Sequence, residues 1–248
     1  MDETDDYLVV DKPPFLQAHP SKPSDLRTLW DGLKDLLAYE LANGGQVSLV
    51  NRLDRETSGL MLVAKTRKAA REFGIRMEKR RIEKAYLAIV WGWPEADEWT
   101  VDAPILRQGE VRESPIHLKQ TVHADGVGAV TRFRVVERVR REASAGEGFS
   151  VIEALPATGR MHQLRVHLAH SGHPIVGDKI YGPDEQCYLE FIETGWNESL
   201  AERLLLPRHA LHASRLHIPD LPRTWEAPLP EDLRAFLRAS SANLLFPL

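Results

Sequence analysis

The sequence predicts an α+β fold built on a mixed, largely antiparallel sheet, and three observations lead there. β-rich runs outnumber helical ones, the two kinds do not alternate regularly, and no internal repeat, long linker or low-complexity tract interrupts the chain. The 248 residues are 43% hydrophobic and 27% charged, so wholesale disorder is not expected and a substantial core can be buried.

Each element has its own warrant. Tyr7-Leu8-Val9-Val10 is a short β-rich run, ended by the turn Asp11-Lys12-Pro13-Pro14. Between 24 and about 42, Leu26, Leu29, Trp30, Leu33, Leu36 and Leu37 recur at three and four. That spacing predicts one helix, capped by Ser24 and stopped by Asn43-Gly44-Gly45. Residues 47–50 and 60–64 read as strands on either side of a polar loop. Thr66 can cap a helix running to about 78, and 86–91 is a strand closed by Gly92 and Pro94. The stretch 95–148 reads as strands and turns, with clean alternation over 130–136 and a hairpin-type loop at 144–148. Residues 149–155 form a strand, 161–171 a helix stopped by Gly172 and Pro174, and 209–218 a strand. A short helix is expected over 231–239, while 190–206 is a mixed pattern and 186–206 has no functional reading.

Composition narrows the function. No apolar run approaches the roughly 18 residues of a membrane helix. The acidic start Met1-Asp2-Glu3-Thr4-Asp5-Asp6 lacks the apolar core of a secretory signal. The lone Cys187 excludes an internal disulfide and a cysteine-based zinc site, and fits a reducing cytoplasm. Net charge is −4, from 32 basic and 36 acidic residues, yet Lys65–Lys84 holds nine basic residues against three acidic ones. With a screening length of about 8 Å, such a stripe can meet phosphates on an otherwise acidic protein. A solvated helix face laced by pairs such as Glu72–Arg76 is the plainer reading of that window.

Three segments carry candidate chemistry. In Asn51-Arg52-Leu53-Asp54-Arg55-Glu56-Thr57-Ser58-Gly59, two cations flank Asp54 and favour its carboxylate form. An ordinary charged loop has the same pattern. Lys84-Ala85-Tyr86 opens a strand, where a tyrosine can stack on a base or simply fill a core. Thr158-Gly159-Arg160-Met161-His162-Gln163-Leu164-Arg165 leads into a helix, where Arg160 can grip a phosphate and Arg165 can reach a carboxylate. His162, His167, His170 and His173 invite a metal, but no HExxH pattern appears and no carboxylate lies among them. No GxSxG elbow supports hydrolysis, and neither GxGxxG nor GxxxxGK[ST] supports a nucleotide cofactor.

Taken together, these residues resemble the RluA-type RNA pseudouridine synthases. The resemblance runs over about 5–220 and rests on ordered motifs: Arg52–Leu60, Lys84–Ala88, Thr158–Leu168 continued by Gly172–Asp178, and Leu211-His212-Ala213. Val10–Pro14 and Ala18-His19-Pro20 are similar to the family's opening. The resemblance implies a pseudouridine synthase fold over 1–248: one catalytic domain with a bent sheet and flanking helices. It implies a cofactor-free, metal-free isomerisation in which a uridine leaves its stack, its N-glycosidic bond breaks, and C5 joins C1′. Asp54, Tyr86 and Arg165 are then catalytic. Asp54 acts on the ribose as nucleophile at C1′ or base at C2′, Arg165 pairs with it, and Tyr86 stacks on the base. Arg52, Arg55, Lys84, Arg160, His162, Gln163 and Leu211 bind substrate, with the Lys65–Lys84 stripe on phosphates. The partner is ribosomal or transfer RNA, and a cytoplasmic monomer is expected. Asn51 stands where the family usually has histidine, which predicts retained activity with altered RNA contacts. With six residues before the first strand, no separate N-terminal RNA-binding domain is expected. A catalytically inactive RNA-binding protein of the same fold and a metal-dependent hydrolase are the alternatives.

Overall fold

In the computed structural model the described residues are 2–20, 26–140, 148–221 and 223–239. In chain order the elements are β1 (Asp2–Glu3), β2 (Tyr7–Lys12), α1 (Leu29–Leu36), α2 (Ala38–Ala42), β3 (Ser48–Leu49), β4 (Ser58–Ala64), α3 (Arg67–Glu78) and β5 (Glu83–Trp91). There follow β6 (Glu98–Asp102), β7 (Ile105–Arg107), β8 (Gln120–Val122), β9 (Val130–Arg140), β10 (Gly148–Pro156) and α4 (Gln163–His170). The chain continues with α5 (Gln186–Thr194), α6 (Glu198–Leu204), β11 (Leu211–His217), β12 (Thr224–Glu226) and α7 (Glu231–Arg238). No helix among the described residues is long and apolar enough to cross a membrane. The chain divides into two units, Met1–Lys84 with His212–Pro228 and Ala85–Leu211 with Leu229–Leu248.

The first unit is organised by β4, whose seven residues are all buried. β2 and β3 pair with it antiparallel, and β11 pairs with it in parallel through His212↔Ser58 and Ala213↔Gly59. That parallel pairing makes the sheet mixed, as expected. On one face, Leu60, Leu62 and Ala64 of β4 pack with Val9, Leu216 and Trp225 and with Ala69 and Phe73 of α3. Thr66 caps α3 by accepting the Ala69 amide proton. The parallel contact is close: Gly59 has φ +111°, and a Cβ there would sit 2.3 Å from the Ala213 carbonyl oxygen.

The expected single helix over 24–42 is two. Thr28 caps α1 through a reciprocal box with Asp31, and the chain bends at Leu37, which is 2% exposed and turned into the core. The reason is local: a three-to-four apolar spacing continues through 36–37, but Leu26 and Leu36 are 78% and 67% exposed, so burial selects Leu33 and Leu37 alone. The Ser24 cap lies outside the described residues, as do residues 144–147 of the expected hairpin loop.

In the second unit, β5, β10, β9 and β6 form an antiparallel run. The alternation over 130–136 holds where it matters, with Thr131 and Phe133 wholly buried and Arg132 and Arg134 exposed. β10 and β9 shift register between Val151 and Ile152, so the 11-residue β9 bulges. α4 packs Val166 with Ile105, Ile116, Ala129, Ile180 and Tyr181. The stretch left unassigned by sequence is α5 and α6, which close a small core of Cys187, Leu200 and Leu204 against Phe191 and Trp196.

Gly59→Ala should destabilise the protein by about 2–4 kcal/mol, through backbone strain and the clash with Ala213. Urea unfolding checks this, and an unchanged midpoint would show that the β4–β11 contact is not a constraint.

Candidate active site

In the first unit, the loop after β3 presents Asp54. Its neighbours alternate: Arg52 is exposed, Leu53 is 8% exposed and anchors the loop, and Asp54 itself is half-buried. The Asp54 carbonyl accepts the Thr57 amide at 3.1 Å, closing a turn. Asn51, 6% exposed, donates to the Leu60 carbonyl and accepts the Leu62 amide at 2.8 Å, so it ties the loop to β4. Lys12 is fully buried and its ammonium donates to the carbonyls of Pro13, Leu16 and Arg55 at 2.8, 2.9 and 3.2 Å. Arg55, exposed, donates Nε to the Phe15 carbonyl at 3.2 Å. On the far side of the turn, Ser58 Oγ lies 3.0 Å from His212 Nδ1, and His212 Nε2 lies 3.2 Å from the Ala227 carbonyl. A carbonyl only accepts, so Nε2 carries the proton and Nδ1 accepts from Ser58. Lys84 closes this unit half-buried, and desolvation pushes its ammonium below the usual lysine range.

In the second unit, Arg165 is 5% exposed on α4 and forks onto Asp178, with Nε to Oδ2 at 2.6 Å and Nη2 to Oδ1 at 2.8 Å. Asp178 is fully buried and also accepts the amides of Ile180 and Tyr181. Burial alone would raise its carboxyl, but the Arg165 guanidinium outweighs burial and holds it well below the usual carboxylate range. The Arg165 guanidinium lies 5.0 Å from the Tyr181 ring centroid. The Tyr181 hydroxyl accepts the Gln120 amide and shares a 2.8 Å hydrogen bond with His162 Nδ1. Tyr86 on β5 is 8% exposed, and Leu211 is 4% exposed.

The remaining predicted contacts divide by burial. Gln163, 4% exposed, makes all four hydrogen bonds its amide allows: Nε2 to Val130 O and Thr131 Oγ1, and Oε1 from Thr158 Oγ1 and the Arg160 amide. It braces the turn from within. Arg160 is exposed and donates Nε to the Gly128 carbonyl. His167 is fully buried between Thr131 Oγ1 at 2.9 Å and the Ala103 carbonyl at 3.0 Å, and burial pushes its pKa below 6.5. Among the described residues, no three His, Cys, Asp or Glu side chains gather as a metal site.

The family profile described as RNA pseudouridylate synthase matches residues 6–170, a span that holds the Asp54 loop, Tyr86 and Arg165. The chain belongs to this family. It is 37% identical over 238 residues to the ribosomal large subunit pseudouridine synthase D of Pseudomonas aeruginosa, covering 93% of this chain and 68% of that protein. It is 35% identical over 244 residues to the protein of the same name from Nitrosomonas europaea, covering 96% of this chain and 63% of that one. It thus spans about two thirds of these relatives' length. Human RNA Pseudouridylate Synthase Domain Containing 4 superposes with a TM-score of 0.71 at 25% identity, over 94% of this chain and 89% of that one. The expected pseudouridine synthase fold is therefore the observed one.

Sequence reasoning about this family member missed Asp178 and Lys12 as organising residues. Asp178 had a signal: a lone carboxylate inside Ile175-Val176-Gly177-Asp178-Lys179-Ile180-Tyr181, where burial demands a cation. Lys12 follows exposed Asp11 at the end of β2 and left no such mark.

Asp178→Asn should cost about 3–5 kcal/mol, because it leaves a buried guanidinium uncompensated. Denaturant midpoints measure this; a loss under about 1 kcal/mol would mean that water reaches the pair. His167 gives a pH dependence. Its folded pKa is depressed, so below pH 6.5 the unfolded chain takes up a proton that the native chain refuses. Its contribution is complete above pH 6.5 and is lost as pH falls, by up to about 1.4 kcal/mol per unit. Unfolding at pH 7.5 and 5.5 should show a smaller drop for His167→Gln than for the parent.

Proposed function

We infer that this chain isomerises uridine to pseudouridine in structured RNA, with Asp54 as the catalytic residue. The observation that carries the reading is the rigid presentation of a half-buried carboxylate. Lys12, Asn51, the Thr57 turn and Gly59 fix the loop around Asp54, while Arg52 beside it stays exposed to meet a phosphate. A group that must act on one ribose carbon benefits from such fixing, because misplacement by an ångström costs orders of magnitude.

The roles follow from the chemistry. Asp54 acts on the ribose, as nucleophile at C1′ or as base at C2′. The N1–C1′ bond breaks, the freed base turns, and C5 bonds to C1′, displacing the Asp54 carboxylate where it had added there; the C5 proton is lost to solvent and N1 takes up one in its place. Arg165 holds the Asp54 carboxylate ionised and aimed, and Asp178 keeps the guanidinium in one plane for that task. Tyr86 stacks on the base and Leu211 packs against it. Arg52, Arg55, Lys84, Arg160 and His162 meet the flipped nucleotide and its neighbours, and Gln163 supports Arg160 through that residue's amide. The reaction moves no electrons to or from a carrier, so no cofactor is assigned. Large ribosomal RNA is the first substrate to test, given the relatives' names, with transfer RNA second, and the protein acts in the cytoplasm as a monomer.

Asp54→Ala should abolish tritium release from RNA labelled at uridine C5, by at least about three orders of magnitude, while RNA affinity stays within a few-fold. In a strain lacking the gene, one pseudouridine should vanish and return with the parent but not the variant. Full turnover by Asp54→Ala would refute the assignment, and no lost site in any RNA would favour a binding protein without activity.

A further inference from the structure

The exposed face of α3 carries charge that the fold itself does not use. Of the nine basic residues from Lys65 to Lys84, Lys65 is buried between Glu3 and Glu40 at 2.6 and 3.0 Å. Arg76 pairs with Glu72 and Asp220, and Lys84 is half-buried. The other six, Arg67, Lys68, Arg71, Lys79, Arg80 and Arg81, are exposed. Among the described residues none of the six makes a side-chain ion pair or hydrogen bond.

Their placement works against stability. Arg67 and Lys68 begin α3 at the positive end of its dipole, and no acidic residue stands in the first turn to offset them. Arg80, just past the helix, has φ +56°, a conformation that glycine adopts at far lower cost. A surface selected for stability alone would carry Asp or Glu at the first site and Gly at the second. Cations kept there against both preferences point to a ligand outside the chain.

We propose that this face of α3 docks the sugar–phosphate backbone of an A-form RNA duplex, without reading its sequence. The proposal rests on the RNA-modifying reading above and extends it to a second contact, remote from the target base. α3 is a rigid rod about 18 Å long, so its cations form a fixed row that suits a regular row of phosphates. Single-strand binders supply aromatic platforms for stacking; the one aromatic of α3, Phe73, is 4% exposed and packed in the core. β4 separates the Asp54 loop from α3, so Arg67 and Lys68 begin about 20 Å along the strand from that loop. A nucleotide held at Asp54 is beyond their reach, and a helical stem flanking the target loop is not.

The test is direct binding of three probes in a salt series: an RNA duplex of about 16 base pairs and unrelated sequence, oligouridine of the same length, and phosphatidylserine vesicles. The variant Arg67→Gln/Lys68→Gln/Arg71→Gln should weaken duplex binding about tenfold or more. It should also lower the slope of log K against log salt by about 2–3, with little change on oligouridine. In modification of large ribosomal RNA the loss should fall on KM. Arg80→Gly should weaken duplex binding while melting no lower than the parent, which separates a lost contact from a damaged fold. Parental duplex affinity and slope in the triple variant would overturn the proposal. So would an equal loss on oligouridine, or tighter binding of the parent to vesicles than to duplex. Duplex binding is read without turnover, so a chain that docks duplex yet modifies no RNA would refute the proposed function and leave this surface standing.

Discussion

The second unit is organised around one carboxylate. Asp178 has room for about four strong hydrogen bonds, and the chain supplies all four: two from the Arg165 fork and one each from the Ile180 and Tyr181 amides. Each bond fixes something different. The fork sets the guanidinium plane on α4, and the two amides close the turn that carries Tyr181. Tyr181 then reaches the Gln120 amide on β8 and the His162 ring that precedes α4. Such a pair adds little net stability over a well-packed apolar substitute, because two charges have lost their water. What it provides is a single allowed arrangement, which an apolar cluster would not impose.

The Asp54 loop in the first unit follows a different principle. There the constraint comes from backbone groups: a buried ammonium on three carbonyls, an asparagine bridging two strand positions, and a glycine that lets two strands approach where no other residue fits. Loops that carry chemistry are ordinarily the mobile parts of a fold. This one is fastened before and after Asp54, so little conformational freedom is left to it.

How much of this was readable depends on what each residue answers to. Strands over 86–91 and 149–155 and the Thr66-capped helix were legible, because alternation and capping are local signals. The helix over 24–42 was misjudged as continuous because apolar spacing reports which residues are able to face a core, not which do. The 186–206 stretch was opaque because its two short helices close a small core of their own and lay Tyr188 and Leu189 on another, partners that spacing does not reveal. For the proposed site, the ordered motifs singled out Asp54, Tyr86 and Arg165, but not how Asp54 and Arg165 are held. Gln163, expected to contact substrate, has its amide hydrogen-bonded within the chain; Asn51, expected to alter RNA contacts, is buried against β4. Both outcomes depend on partners far along the chain, which spacing does not encode.

The contact between Ser58 and His212 joins residues 154 positions apart, and it is what seats β11 beside β4. The first unit is thus assembled from two distant stretches of chain, whereas the second draws most of its residues from one continuous stretch. On the ribosome the continuous stretch can collapse as it emerges, while the first unit waits for its closing strand. The loop that bears Asp54 therefore gains its last support only once β11, some 154 residues further along the chain, has been made.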